Sequence, residues 1–387
     1  MIAQSVEQRT ENPCVAGSIP AQATLLKFLQ EYLPLRANCI ILYSVIFLIN
    51  CMFKLQNSCH KLLVVKIFIL LFFLTSSFVN ANEISDQNKD VSNDQKEVVV
   101  GLLRTEKETY PYEWEFSDNI YEMLTYMGAN VLLIDYNKIV DFDKIKKEAL
   151  SEAKKDQLLA NKLELDKIKV VVQNFIEENK INRIFIAGNY YNLDYDPFPP
   201  TPNRQLVTEA IVKIVDDNPN IHIIAICGGL QGVMHAKGVE IIRVDKLVDA
   251  KQQEAHLISM PNPQQENVHL HKLKIVPESR LGEIASKFIK PDKNGWFSVY
   301  FPDAHGGVIN ISNQNKQKLE HLGYKVVGFS DDGIIEVIED KHGNLYFQDH
   351  PEALVIKSDK NYPAKEKERG IATLVAIAIL NDFLYRE

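Results

Sequence analysis

The chain is short of thiols where a secreted protein would use them. Its 387 residues include five cysteines, and four of these (Cys14, Cys39, Cys51 and Cys59) precede residue 60. Beyond that point only Cys227 remains, so no disulfide framework can be built there. A basic surplus is also lacking. Against 43 lysines and arginines stand 51 aspartates and glutamates, a formal charge of −8, which removes the attraction a nucleic-acid binder depends on. There is no internal repeat, no low-complexity tract, no phosphate-binding P-loop and no dinucleotide fingerprint, so no cofactor is expected.

Long apolar runs are confined to the N-terminal region. "CIILYSVIFLI" covers 39–49 and is short for a spanning helix; "LLVVKIFILLFFLTSSFV" covers 62–79 and is interrupted by Lys66. Read from Met52, a basic opening (Lys54, Lys61) leads into the second run and then to Val79 and Ala81, small residues placed for cleavage after Ala81. The expectation is a signal peptide over 52–81, export to the periplasm or cell surface, and a polar leader over 82–97. The competing reading is an uncleaved membrane anchor, and either leaves room for a transient membrane association through these segments. Residues 1–51 are expected to be a misassigned extension, since 5–24 read like the conceptual translation of a transfer-RNA gene.

From residue 98 to 387 the pattern is that of one α/β domain. Apolar runs such as "VVVGLL", "NVLLIDY", "NRIFIAG" and "IHIIAIC" alternate with helix-like stretches. Runs apolar on both faces predict a mostly parallel, doubly wound sheet, with ligands bound beyond the carboxyl ends of its strands. After residue 240, "KLKIV", "WFSVYF", "GVINIS", "YKVVGFS", "GIIEVIED" and "NLYFQ" are short strands expected to add to that sheet in antiparallel fashion. The charged stretch 141–180 reads as a long solvated helix or a helical insertion.

Cys227 closes the strand "IHIIAIC" and is followed by Gly228 and Gly229, where the helix "GGLQGVMHAKG" begins. A thiol on such a bend is exposed to the helix N-terminus, which favours the thiolate, and the glycines allow a sharp turn and close packing. This is a nucleophile elbow with cysteine as the nucleophile and Ala225 in place of the first glycine. The competing reading is a small buried hydrophobe. A thiol nucleophile needs a base and the base needs an orienter; "LYFQDHPEAL" offers His350 and Glu352, with Pro351 stiffening the turn between them.

"ICGGLQGVMHAKG" and "FQDHPEAL" resemble the C-x-G-x-Q elbow and the Q-x-H-P-E motif of class I glutamine amidotransferase-like proteins. "IFIAGNYYNLDYDP", "PESRLGEI" and "SDDGIIEVIED" are similar to segments of the gamma-glutamyl-gamma-aminobutyrate hydrolase and gamma-glutamyl hydrolase branch, in the same order. The resemblance implies a flavodoxin-like fold, a small gamma-glutamyl substrate, Cys227 as nucleophile, His350 as acid and base, and Glu352 as orienter. It further implies an oxyanion hole at Gly228 and at Gly188 or Asn189, and a substrate-facing Gln231.

Several positions depart from the branch. Asn189 replaces a glycine, Gly228 replaces an arginine, and Tyr190 and Tyr191 lengthen the loop. The N-S-x-H-x-Q segment survives only as "YFPDAHGG", where His305 is weighed as a substrate contact against an ordinary loop histidine. His269 and His271 alternate as zinc ligands can, but with no third ligand evident the solvated face of a strand is favoured and no metal is expected. Asp194 and Asp196 are assigned to turn formation. Three functions are carried forward: a thiol hydrolase of gamma-glutamyl amides, a glutaminase subunit of amidotransferase type, and a non-catalytic ligand-binding member of the superfamily.

Overall fold

The computed structural model describes residues 97–104, 111–189, 201–257, 270–356 and 366–387, which lie in one compact unit, Gln95–Glu387. The expectations for residues 1–96, for His269 and for the loop carrying Tyr190, Tyr191, Asp194 and Asp196 lie outside the described residues. Among the described residues no helix is long and apolar enough to cross a membrane.

The first half alternates strand and helix: β1 (Val99–Arg104), α1 (Pro111–Tyr126), β2 (Asn130–Asp135), the short α2 (Tyr136–Ile139), α3 (Phe142–Glu152), α4 (Gln157–Glu178), β3 (Arg183–Ile186), α5 (Pro202–Asp217), β4 (His222–Ile226) and α6 (Gly228–Ala236). The charged stretch 141–180 is two helices rather than one. Lys154 and Lys155 adopt positive φ between them, and the side chains of Asp141 and Asp156 cap their N-termini. The second half comprises β5 (Ile241–Arg243), α7 (Ala250–Leu257), β6 (His271–Ile275), α8 (Arg280–Ser286), β7 (Phe297–Phe301), β8 (Gly307–Ile309), α9 (Asn313–His321), β9 (Lys325–Ser330), β10 (Ile335–Glu339), β11 (Leu345–Phe347) and α10 (Glu366–Tyr385).

Among the described residues, nine strands form the main sheet in the order β2-β1-β3-β4-β11-β10-β9-β6-β7. The first five are parallel and follow the flavodoxin-like order; the rest join antiparallel. Two late strands depart from the antiparallel expectation. β11 inserts parallel to β4, and β8 leaves the main sheet to pair with β5.

Side-chain alternation explains why the parallel strands read as continuous apolar runs. In β4, Ile224 and Ile226 face one core and Ile223 and Ala225 the other; in β3, Phe185 faces the first and Ile184 and Ile186 the second. Helices α1, α8 and α10 cover one face and α4, α5 and α6 the other. The carboxyl ends of β4 and β11, being neighbours in parallel, deliver Cys227 and the 348–352 segment to the same edge of the sheet.

Candidate active site

Cys227 sits at φ +51° and ψ −113° as the N-cap of α6. A side chain in the left-handed region is strained, and the surrounding structure has to hold it there. Two backbone hydrogen bonds do so: its N–H donates to the Phe347 carbonyl at 2.7 Å, and its carbonyl accepts from the Gln231 N–H at 3.0 Å. Close packing behind the turn depends on glycine. A Cβ at Gly229 would collide with the Ile186 carbonyl oxygen and come 3.1 Å from that of Ala187.

The thiol reaches two partners. It donates to the Ala304 carbonyl at 3.7 Å and shares a hydrogen bond with His350. On the other side of the ring, His350 Nδ1 lies 2.8 Å from Glu352 Oε1. The His350 backbone N–H is anchored on the Pro302 carbonyl at 2.8 Å. Burial by itself lowers the affinity of His350 for a proton. The Glu352 charge and the hydrogen bonds to Cys227 and Glu352 outweigh it, so the imidazole is held well above its ordinary range. Thiol, imidazole and carboxylate thus form one hydrogen-bonded chain that holds a proton on the imidazole. Both side chains are covered, Cys227 being 4% and His350 5% exposed.

Gly188 lies against this pair: a Cβ there would be 3.3 Å from His350 Cε1 and 3.4 Å from Cys227 Cβ. The two departures from the branch pattern at 189 and 228 fit one another. The Asn189 side chain occupies the space a Cβ at Gly228 would need, and the Asn189 backbone nitrogen lies 3.1 Å from that same point. An arginine at 228 is therefore excluded while Asn189 keeps this position.

Two expected substrate contacts are placed otherwise. Gln231 is fully buried, and its amide donates to the Gly307 carbonyl at 2.9 Å and to Gln348 Oε1 at 3.2 Å, so it ties α6 to β8 and to the end of β11. One helical turn beyond Cys227 points beneath the elbow, away from solvent. His305 is also turned inward, with Nδ1 3.1 Å from the Gly307 carbonyl and Nε2 3.0 Å from Asp303 Oδ1.

His305 belongs to a group that the sequence left scattered. His256 from the end of α7, His271 from the start of β6, Asp303 and His305 from the β7–β8 connection, Asp332 from the β9–β10 turn and Glu336 from β10 converge beside the Ala304 carbonyl that the thiol touches. His271 is not on a solvated strand face; it is largely buried, with Nδ1 2.7 Å from Asp303 Oδ2. Burial lowers the proton affinity of His256, yet its hydrogen bonds to Asp303 and Asp332 raise it to about 9. Burial, followed by the charges of Asp303, Asp349 and Asp332, pushes the Glu336 carboxyl well above its usual range. Asp349, next to His350, is raised by burial and by the Asp303 charge. The D-A-H spacing at 303–305 and the alternation ending at His271 were the local signals of this group; what the sequence does not show is that these segments meet with His256, Asp332 and Glu336.

No protein-family model matches the chain, and no curated protein does. Among solved structures it is similar to SMU.1228c, at 12% identity over 74% of this chain and 99% of that one, with a TM-score of 0.38. It is also similar to a glutamine amido transferase from Methylobacillus flagellatus, at 10% identity over 76% of this chain and 96% of that one, with a TM-score of 0.37.

Proposed function

We propose that the protein is a thiol hydrolase of gamma-glutamyl amides. The observation that carries this reading is the alignment of Cys227, held in a strained elbow, with His350 and the buried Glu352. A buried structural thiol has no need of a left-handed backbone or of an imidazole backed by a carboxylate.

In the proposed reaction the Cys227 thiolate attacks the gamma-carbonyl carbon and forms a C–S bond. The carbonyl oxygen takes the negative charge and is held by N–H groups of Gly228 and of Gly188 or Asn189, donors of a kind worth about 3 kcal/mol each. The tetrahedral intermediate collapses, the C–N bond breaks, and His350 gives its proton to the departing amine. Water then attacks the thioester while His350 takes its proton. The C–S bond breaks, glutamate is released, and the Cys227 thiolate and His350 imidazolium are restored. Glu352 keeps the imidazole in the tautomer and orientation both half-reactions require.

The non-catalytic reading draws on the coverage of Cys227 and on the inward turn of His305. Turnover separates the two. With a panel of gamma-glutamyl amides, including glutamine, the wild type is expected to release glutamate and Cys227→Ala to lose at least about 10⁴-fold in kcat/KM. Equal turnover by wild type and variant would show that the sulfur is not the nucleophile. Release of ammonia from glutamine alone, with no other amide cleaved, would favour the glutaminase reading.

A further inference from the structure

We propose that His256 Nδ1, His305 Nε2, Asp303 and Glu336 bind one divalent transition-metal ion, zinc by the chemistry of the donors, behind the wall of the candidate active site. The proposal stands whether or not the hydrolase reading does, because it rests on a separate set of side chains.

The geometry is that of a four-coordinate cage. Zinc bound at 2.0–2.1 Å in a tetrahedron places its ligand atoms roughly 3.3 Å from one another. Here His256 Nδ1 is 3.2 Å from His305 Nε2 and 3.0 Å from Asp303 Oδ2. His305 Nε2 is 3.0 Å from Asp303 Oδ1 and 3.7 Å from Glu336 Oε2, and His256 Nδ1 is 3.6 Å from Glu336 Oε1. These five separations lie within about 0.4 Å of that edge, Asp303 and Glu336 each turning one oxygen toward either histidine.

The far nitrogen of each histidine faces a group that only accepts: His256 Nε2 lies 3.0 Å from Asp332 Oδ2, and His305 Nδ1 lies 3.1 Å from the Gly307 carbonyl. With the hydrogens on those far nitrogens, as neutral rings bound to a metal would carry them, the two facing nitrogens present lone pairs to the same point. A carboxylate and a carbonyl behind ligating histidines is the usual support of a metal site. His271 Nδ1 plays the same part for Asp303 Oδ2 at 2.7 Å.

Glu336 points the same way. It is 1% exposed, and among the described residues neither of its carboxylate oxygens accepts a hydrogen bond. A metal ion would serve all four donors together. The strand is built for it. Between Ile335, paired with Phe329, and Val337, paired with Gly328, β10 has one extra residue, and that residue is Glu336. Bulges of this kind re-aim a side chain.

Four protein donors leave no open position, so the ion's role is structural. It would clamp α7, the 303–307 connection and β10 together, and so fix the Ala304 carbonyl that faces the Cys227 sulfur and the Gly307 carbonyl that holds Gln231.

The test uses the full chain. Purified without chelator and dialysed, it is expected to carry about one zinc per chain by elemental mass spectrometry. Stripped and reloaded with Co²⁺, it is expected to give the intense visible bands of a tetrahedral cobalt site. By competition with a chromophoric chelator, His256→Gln and His305→Gln are expected to weaken zinc binding by at least 100-fold. Asp332→Asn is expected to weaken it by about 10–100-fold, and His342→Gln, an exposed histidine elsewhere, to leave it unchanged. Where a variant does not fold, the wild type still decides. A wild-type chain that retains no zinc and gives no cobalt spectrum overturns the proposal, as does binding that His256→Gln and His305→Gln leave at full strength.

Discussion

At the scale of single residues, the account turns on charge held beside Cys227. The Glu352 carboxylate and the hydrogen bond to the thiol keep the His350 imidazole protonated to higher pH than an ordinary histidine. Glu352→Gln keeps the shape and removes the charge, so the proton affinity of His350 falls. The alkaline limb of the pH–rate profile is expected to move to lower pH, and kcat to drop by about 10²–10⁴-fold. An unmoved limb would mean that Glu352 does not hold the imidazolium. A second test concerns the matched pair at 189 and 228. Gly228→Arg alone is expected to lower stability, because its Cβ meets the Asn189 side chain. Adding Asn189→Gly is expected to recover much of that loss, as a double-mutant cycle in denaturant would register. Cys227 and the His350–Glu352 pair were legible in the sequence because each announces itself locally, as strand–Cys–Gly–Gly and as His-Pro-Glu. His305 and Gln231 were not, because whether a side chain faces a cleft or the interior depends on which distant segment packs behind it.

Among the elements, the parallel half of the sheet could be read from its runs of apolar residues, since strands covered on both faces have no polar alternation to disguise them. β11 could not. Three residues carry no direction, and its parallel placement beside β4 is set by the β9–β10 hairpin-like excursion that precedes it. That placement brings His350 to Cys227. The fit of α6 onto the sheet is tight enough to test: Gly229→Ala puts a methyl group against backbone carbonyls that cannot swing aside. It is expected to cost about 1–3 kcal/mol in denaturant unfolding; a neutral result would mean that α6 can shift. At the other end of β4, His222 Nδ1 accepts from Arg386 Nε at 3.0 Å and from its terminal nitrogen at 2.6 Å, fastening the C-terminus to the sheet. Burial, and then the charges of Arg183 and Arg386, lower its proton affinity to about 4. The unfolded chain therefore binds the extra proton first as pH falls. Stability from this contact is complete above about 6.5 and is lost between there and about 4, on the order of 1–2 kcal/mol once solvent screening of a half-buried ring is allowed for. His222→Gln is expected to flatten that part of the stability–pH curve, while an unchanged curve would remove His222 from the account.

Taken as a whole molecule, the chain brings two sets of side chains together at one edge of its sheet: a thiol, an imidazole and a carboxylate in line, and beside them a cage of histidines and carboxylates. The first was assembled from two motifs; the second required the convergence of α7, β6, the β7–β8 connection and the β9–β10 region, a juxtaposition that spacing along the sequence does not encode. We further propose that the protein works outside the cytoplasm after cleavage near Ala81. Intact mass and N-terminal peptides of the protein from fractionated cells are expected to begin at Asn82, and peptides from upstream of Met52 in the mature form would contradict that. The most direct test of the central claim is to treat the folded protein with a thiol-reactive glutamine analogue and map the adduct by peptide mass spectrometry. The account expects one adduct, on Cys227, formed rapidly in the native protein, slowed by competing gamma-glutamyl amides and lost on denaturation. A native protein whose Cys227 stays unmodified, or reacts no faster than in the denatured chain, would contradict it.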